Sequence, residues 1–132
     1  MLKKTITYLD YNDQKRTDDF YFNLTKTELL EMDSEYDGGM EACFRRYVAT
    51  DNNKALFQVF KNMVLKAYGE KSYDGKRFEK KNGELAAAFM ETNAYDVLMM
   101  ELATNIDSAT EFFTSLIPAD LKDKVEAANT TK

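Results

Sequence analysis

The 132-residue chain has no histidine, no tryptophan, one cysteine and one proline. Without histidine there is no imidazole base for a serine or cysteine triad and no imidazole zinc ligand. A single thiol, Cys43, excludes an internal disulfide and a multi-thiolate metal centre. No apolar run reaches 18 residues, and Met1-Leu2-Lys3-Lys4-Thr5 lacks the apolar stretch of a signal peptide, so a cytoplasmic protein with no membrane partner is expected. Only five glycines are present, none in a phosphate-cradling motif, and no cofactor is expected. Basic residues are scarce after residue 82: that part has 3 basic and 9 acidic groups, a net −6, whereas residues 1–81 carry +1. The one basic stretch runs from Lys71 to Lys81, too little positive charge for a nucleic-acid partner.

What is present suits one folded domain. Hydrophobic residues make up 44% of the chain, with 9 Phe and 8 Tyr, which supplies enough apolar area for a single core at this length. From Thr5 to Leu24 the apolar residues alternate: Ile6 and Tyr8, then Phe20, Phe22 and Leu24 share one parity. Turn formers lie between them, from Tyr11 to Lys15, so the segment reads as a β-hairpin. For Ile6 and Phe20 to share a face, paired residue numbers must sum to an even value such as 26. That places an odd-length loop around Asp13.

Helical signals follow. Thr25 and Glu28 form a capping box, and Leu24 and Leu29 stand where a hydrophobic staple places them, so a first helix starts at Lys26 and ends near Asp33. Met40, Cys43, Phe44, Tyr47 and Val48 mark a second helix over residues 40–49. Asp51 is a candidate cap for the third, whose stripe of Leu56, Phe57, Val59, Phe60, Met63, Val64, Ala67 and Tyr68 is wide enough for a central core helix. Leu65 falls on the opposite face. Gly69 stops that helix, and Glu70 to Lys81 reads as a polar connection with a turn at Asp74-Gly75. A fourth helix follows Asn82-Gly83. A fifth, capped by Thr92 or Asn93, has Tyr95, Leu98, Met99 and Leu102 on one face and Val97 and Met100 on a second. Asn105 caps a sixth with Ile106, Ala109, Phe112, Phe113, Leu116 and Ile117, ended by Pro118. The predicted fold is α+β, mostly α: an N-terminal antiparallel β-hairpin packed on a bundle of about six short helices. A single domain spans 1–121, with the hairpin in 1–24 and the helices in 25–121, and 122–132 reads as a flexible tail.

Candidate chemistry is thin. Asp18 and Asp19, adjacent on a strand, point to opposite faces and cannot act on one substrate atom. Asp33, Glu35 and Asp37 alternate as in a calcium loop, but Phe44 stands where an EF-hand needs glutamate. Cys43 lies on the core face of its helix with no base to activate it. The Lys71 to Lys81 segment mixes basic and aromatic residues and reads as a solvated connection rather than a phosphate-contacting loop. No metal site and no catalytic residue are expected. Interaction remains: seven methionines are many for this length, and Met90, Met99 and Met100 cluster in the acidic part, where flexible thioethers can repack against partner helices.

Several runs resemble small proteins of tailed bacteriophages: residues 1–8, Asp19 to Lys26, Leu65 to Ser72, Asp74 to Phe78, Ala94-Tyr95, Met100 to Thr104 and Ile117 to Leu121. The likeness is to tail assembly chaperones, encoded between the tail tube and tape-measure genes. It implies a non-enzymatic protein of the host bacterial cytoplasm that binds and solubilises the tape-measure protein during tail morphogenesis. The tail tube protein is a further candidate partner, and homo-oligomerisation a further expectation. The expected partner surface is Tyr95, Met99, Met100, Phe112 and Phe113 of the last two helices, with Leu65. The same features allow a structural virion protein or an acidic phage-encoded inhibitor of a host protein as alternatives.

Overall fold

The computed structural model describes residues 1–116. Two eight-residue strands, β1 (Leu2–Leu9) and β2 (Lys15–Phe22), pair antiparallel as the alternation requires, and the even-numbered side chains Leu2, Ile6, Tyr8, Phe20 and Phe22 turn inward. Paired residue numbers sum to 24, not 26, so the odd-length loop is centred on Asn12 rather than Asp13. Asp10 sets this register. Its carboxylate accepts from the backbone N–H groups of Asn12 and Gln14 at 2.8 and 3.0 Å, and from Arg16 at 2.6 Å. These bonds hold its carboxyl below the usual range, the Arg16 bond most of all.

The chain leaves the sheet through the capping box. Thr25 Oγ1 accepts from the Glu28 N–H at 3.1 Å and Glu28 Oε1 accepts from the Thr25 N–H at 3.0 Å, opening α1 (Lys26–Ser34). Helix α2 (Met40–Ala49) begins where Asp33 reaches across the turn and accepts from the Met40 N–H at 2.7 Å. Asn52, not Asp51, caps α3 (Asn53–Ala67), accepting from the Ala55 N–H at 3.3 Å. Asp51 instead takes a left-handed backbone, φ +54°, to turn the corner. Leu56, Val59, Phe60, Met63, Val64 and Ala67 are buried as the stripe predicts, whereas Phe57, at its edge, is 39% exposed.

After α3 the structure departs from the sequence reading. Tyr68 leaves the helix, and what read as a polar connection is a second hairpin, β3 (Tyr68–Lys71) and β4 (Phe78–Glu79). Gly69 does more than stop a helix. It pairs with Tyr21 of β2, and a Cβ there would lie 2.5 Å from the Glu79 carbonyl oxygen and 2.6 Å from the Phe78 ring. The result is a four-stranded antiparallel sheet in the order β1-β2-β3-β4, with α1 to α3 inserted between its second and third strands.

A short 3₁₀ turn at Lys81–Gly83 leads into α4 (Glu84–Met90). Thr92 caps α5 (Asn93–Thr104) and Asn105 caps α6 (Ile106–Leu116), accepting from the Asp107 and Ser108 N–H groups. Phe22 stands at the centre of the core, edge-on to Tyr68, Phe89 and Phe112 at centroid distances of 5.6, 5.9 and 5.3 Å, while Tyr68 stacks on Phe89 at 4.3 Å. A second aromatic group, Phe44 with Phe60 and Phe113, joins α2, α3 and α6. The predicted end of α6 at Pro118, the domain limit at 121 and the tail from 122 lie outside the described residues.

Candidate functional site

Asp18, Asp19 and the Cys43 thiol are engaged structurally. Asp18 accepts from the Tyr8 hydroxyl on the inner side of β2, and Asp19 from Thr5 Oγ1 on the outer side, both at 2.6 Å. The Tyr8 hydroxyl is pushed up, first by its bond to Asp18 and then by burial. Cys43 is buried, donates to the Asp37 carbonyl at 3.3 Å and accepts from Arg46 at 3.0 Å. Among the described residues no three His, Cys, Asp or Glu side chains stand together to hold a metal, and no helix is long and apolar enough to cross a membrane.

The basic segment from Lys71 to Lys81 divides in two. Its tip is organised by the buried Ser72, which donates to Asp74 at 2.7 Å and accepts from the Arg77 N–H at 3.0 Å. Its end supplies Lys80, whose ammonium donates to the Asn23 carbonyl at 2.9 Å, the Lys66 carbonyl at 2.7 Å and Glu28 Oε2 at 2.5 Å. One side chain thus ties together the end of β2, the start of α1 and the end of α3. Nothing in the sequence spacing marks this, because the partners lie 14 to 57 residues away.

Of the six residues expected to face a partner, the structure exposes one. Met100 is 56% exposed. Met99, Phe112 and Phe113 belong to the chain's own core: Phe112 packs on Phe22 under the sheet, and Phe113 stacks on Phe44 of α2. Tyr95 is half-buried with its ring edge-on to Phe89 at 5.7 Å, and burial pushes its hydroxyl up. Leu65 is half-buried against the core from the side of α3. The six do not form one surface.

A different set does come together. On α5 the buried residues Ala94, Leu98, Met99 and Leu102 face β1, α4 and α6, and the opposite side presents Val97 and Met100. Helical spacing brackets these two with Asp96 and Glu101. One turn further on, Ala103 and Thr104 line a groove with Ile106 and with Leu56, Phe57 and Phe60 of α3, about 220 Å³ in volume. Phe57 and Ile106 are exposed at its rim. Of the rim residues, Phe57 is the one that belonged to the predicted stripe of α3. Its sequence signal is an aromatic residue flanked at three and four residues by Lys54 and Lys61, which places Phe57 at the solvent margin of the stripe rather than within it.

The two banks differ in charge. Residues 93–116 contain Asp96, Glu101, Asp107 and Glu111 and no basic residue, whereas α3 has Lys54, Lys61 and Lys66 and no acidic one. Lys4 on β1 pairs with Glu101 at 3.4 Å, the contact that fixes α5 against the hairpin edge together with Asn93, which donates to the Leu9 carbonyl at 2.7 Å.

A second cleft, about 430 Å³, opens where β3 turns away from β2 after two residue pairs and is lined by Met1, Phe20, Tyr21, Tyr68 and Lys71 among others. Its charged lining residues are Asp19, Glu70 and Lys71.

Among known proteins, a family model described as phage tail assembly chaperone matches residues 1–132, the whole chain. No curated protein and no solved structure matches.

Proposed function

This chain belongs to the phage tail assembly chaperone family, and from that premise we propose that it binds the tape-measure protein in the host cytoplasm and keeps it soluble until tail tube subunits assemble around it. A long helical protein with an apolar stripe aggregates through that stripe unless it is covered. The observation that carries the reading is the exposed face of α5, where Val97 and Met100 lie between Asp96 and Glu101 in a stretch with no basic residue. An apolar strip covers a helix by the same burial that drives folding, and unbranched methionine adapts to varied surfaces. The surrounding acidic charge, part of a net −5, makes coated complexes repel one another. The role needs no covalent chemistry.

Co-expression tests it. A tape-measure fragment is expected to be soluble and to co-purify when this protein is present, and to be insoluble alone. Equal solubility with and without it would refute the reading, and stoichiometric recovery of the protein in mature virions would favour a structural role instead.

A further inference from the structure

We propose that the open edge of β2 takes up an extended segment of a partner protein as an added antiparallel strand. The Asp10 N–H donates to the Gln14 carbonyl at 2.9 Å, which makes theirs a hydrogen-bonded pair. Such pairs alternate along an antiparallel ladder, so the even-numbered residues of β2 bond to β1 and the odd-numbered ones point their N–H and C=O groups the other way. The same parity holds just past the strand, where the Asn23 N–H donates to the Ala67 carbonyl at 2.8 Å. Tyr21 meets Gly69 on that side, but β3 then turns to pair with β4, and Lys15, Thr17 and Asp19 are left with no strand beside them. Their backbone groups on this edge have no hydrogen-bond partner among the described residues, and all three residues are exposed. The opposite edge of the hairpin is covered instead: α5 packs on β1, and Asn93 donates to the outward Leu9 carbonyl at 2.7 Å.

An unpaired strand edge matches one ligand chemistry, another extended backbone with the same spacing of donors and acceptors. The cleft of about 430 Å³ opens where β3 leaves β2, and Phe20 and Tyr68 line it beside Asp19. The occupant's side chain opposite Phe20 enters this cleft and is aliphatic. On the outer face Lys15, Thr17 and Asp19 follow one another at two-residue spacing, so a base stands opposite Asp19 and an acid, further along the segment, opposite Lys15. Lys15 has no ion-pair partner among the described residues and is available to that acid. The β2 strand of a second copy also aligns Lys15 with Asp19, but that register brings Gln14, not an aliphatic side chain, opposite Phe20. The occupant is therefore a segment of a different protein. No exposed residue of α5 takes part, so strand addition is independent of the tape-measure reading.

The probe is a short fluorescein-labelled peptide whose centre reads leucine, lysine, threonine, threonine, valine, glutamate, added to the full chain. It is expected to bind saturably, as read by anisotropy, and to slow hydrogen exchange at the Lys15, Thr17 and Asp19 amides, which exchange freely without it. Thr17→Pro removes an N–H that the β1–β2 hairpin does not use. The variant is expected to keep the wild-type circular dichroism spectrum and to bind at least about tenfold more weakly. Should it misfold, Lys15→Glu/Asp19→Lys carries the test: this variant is expected to prefer a peptide with its lysine and glutamate exchanged, which the wild type binds more weakly. No binding, binding without protection of those amides, a folded Thr17→Pro that binds as the wild type does, or an unchanged preference in the double variant would overturn the proposal. So would protection of the three amides before any peptide is added, which would show the edge already covered, as pairing with a second copy would leave it.

Discussion

Replacing Lys80 with methionine removes one ammonium group from three acceptors at once. The Lys80 and Glu28 side chains are only 22% and 21% exposed, so water restores little of what is lost. The carbonyls of Asn23 and Lys66 and the Glu28 carboxylate would each lose a charged donor. A hydrogen bond involving a charged group contributes about 1.5–3 kcal/mol, and one ammonium serving three acceptors has already lost much of its own hydration. Lys80→Met is therefore expected to cost about 2–3 kcal/mol, against under about 1 kcal/mol for an exposed pair. The pH dependence adds a second readout. Burial pushes the Glu28 carboxyl up, but the Lys80 ammonium and the Thr25 N–H outweigh it and hold the group below the usual carboxylate range. The unfolded chain then binds the proton at higher pH than the folded one. This part of the stability is full above the ordinary carboxylate range and is lost as pH falls through the depressed value. In Lys80→Met burial is left opposed only by Thr25, so the folded-state value rises toward the unfolded one and the part of the acid loss that Glu28 contributes should shrink. Burial also lowers the Lys80 pKa, more than Glu28 raises it, so the wild type should gain slightly as pH rises toward the lysine range. Urea unfolding at constant m-value, followed from about pH 3 up toward the lysine range, measures both. A loss below about 0.5 kcal/mol with an unchanged acid limb would show the contact to be an ordinary surface pair.

Gly69→Ala is expected to cost about 1–3 kcal/mol or more, since the new methyl meets the Glu79 backbone rather than a movable side chain; a neutral result in thermal melts would contradict the close approach. Phe60→Ala should lose about 3–5 kcal/mol, and Phe57→Ala, on the same helix, under about 1 kcal/mol; equal losses in chemical unfolding would mean that the stripe is buried across its full width. Met99→Glu should unfold the protein or lower its stability by several kcal/mol, whereas Met100→Glu should leave the melting temperature within about 2–4 °C and weaken co-purification with the tape measure. If Met100→Glu is as damaging as Met99→Glu, the outward face of α5 is misassigned.

Local signals in the chain announced the elements whose determinants are local. The alternation around Ile6 and Phe20, the Thr25 and Glu28 box, and the caps at Thr92 and Asn105 each act over a few residues, and each stands where its spacing requires. The β3–β4 hairpin was not legible because Tyr68 to Lys71 has no alternation of its own. It is a strand because β2 offers a partner and because Gly69 admits Glu79 at close range. Neighbouring turn formers were equally ambiguous: Asp51 and Asn52 are both good caps by type, and the tight corner left one of them to supply the cap and the other the left-handed turn. Which apolar side chains are exposed was the least legible. An aromatic residue in a helical stripe has the same periodicity whether its neighbour is another helix of the same chain or another molecule. Phe112 and Phe113 found Phe22 and Phe44, whereas Phe57 found solvent.

The placement of Phe22 bears on how the protein is made. Its ring closes against Tyr68, Phe89 and Phe112, so the inner face of the first hairpin is covered by side chains translated 46 to 90 residues later. On the ribosome the hairpin emerges early, with Ile6, Phe20 and Phe22 uncovered, and a lone two-stranded hairpin is marginal in water. The segment from residue 24 to 67 must then close as a loop before β3 can reach β2, an entropic cost that falls before the sheet contributes. A ribosome stalled short of α6 would therefore hold a chain that has most of its elements but lacks the Phe112 ring that packs edge-on to Phe22. The core around Phe22 is complete only when residue 112, near the end of the described chain, has joined residues 20 and 22.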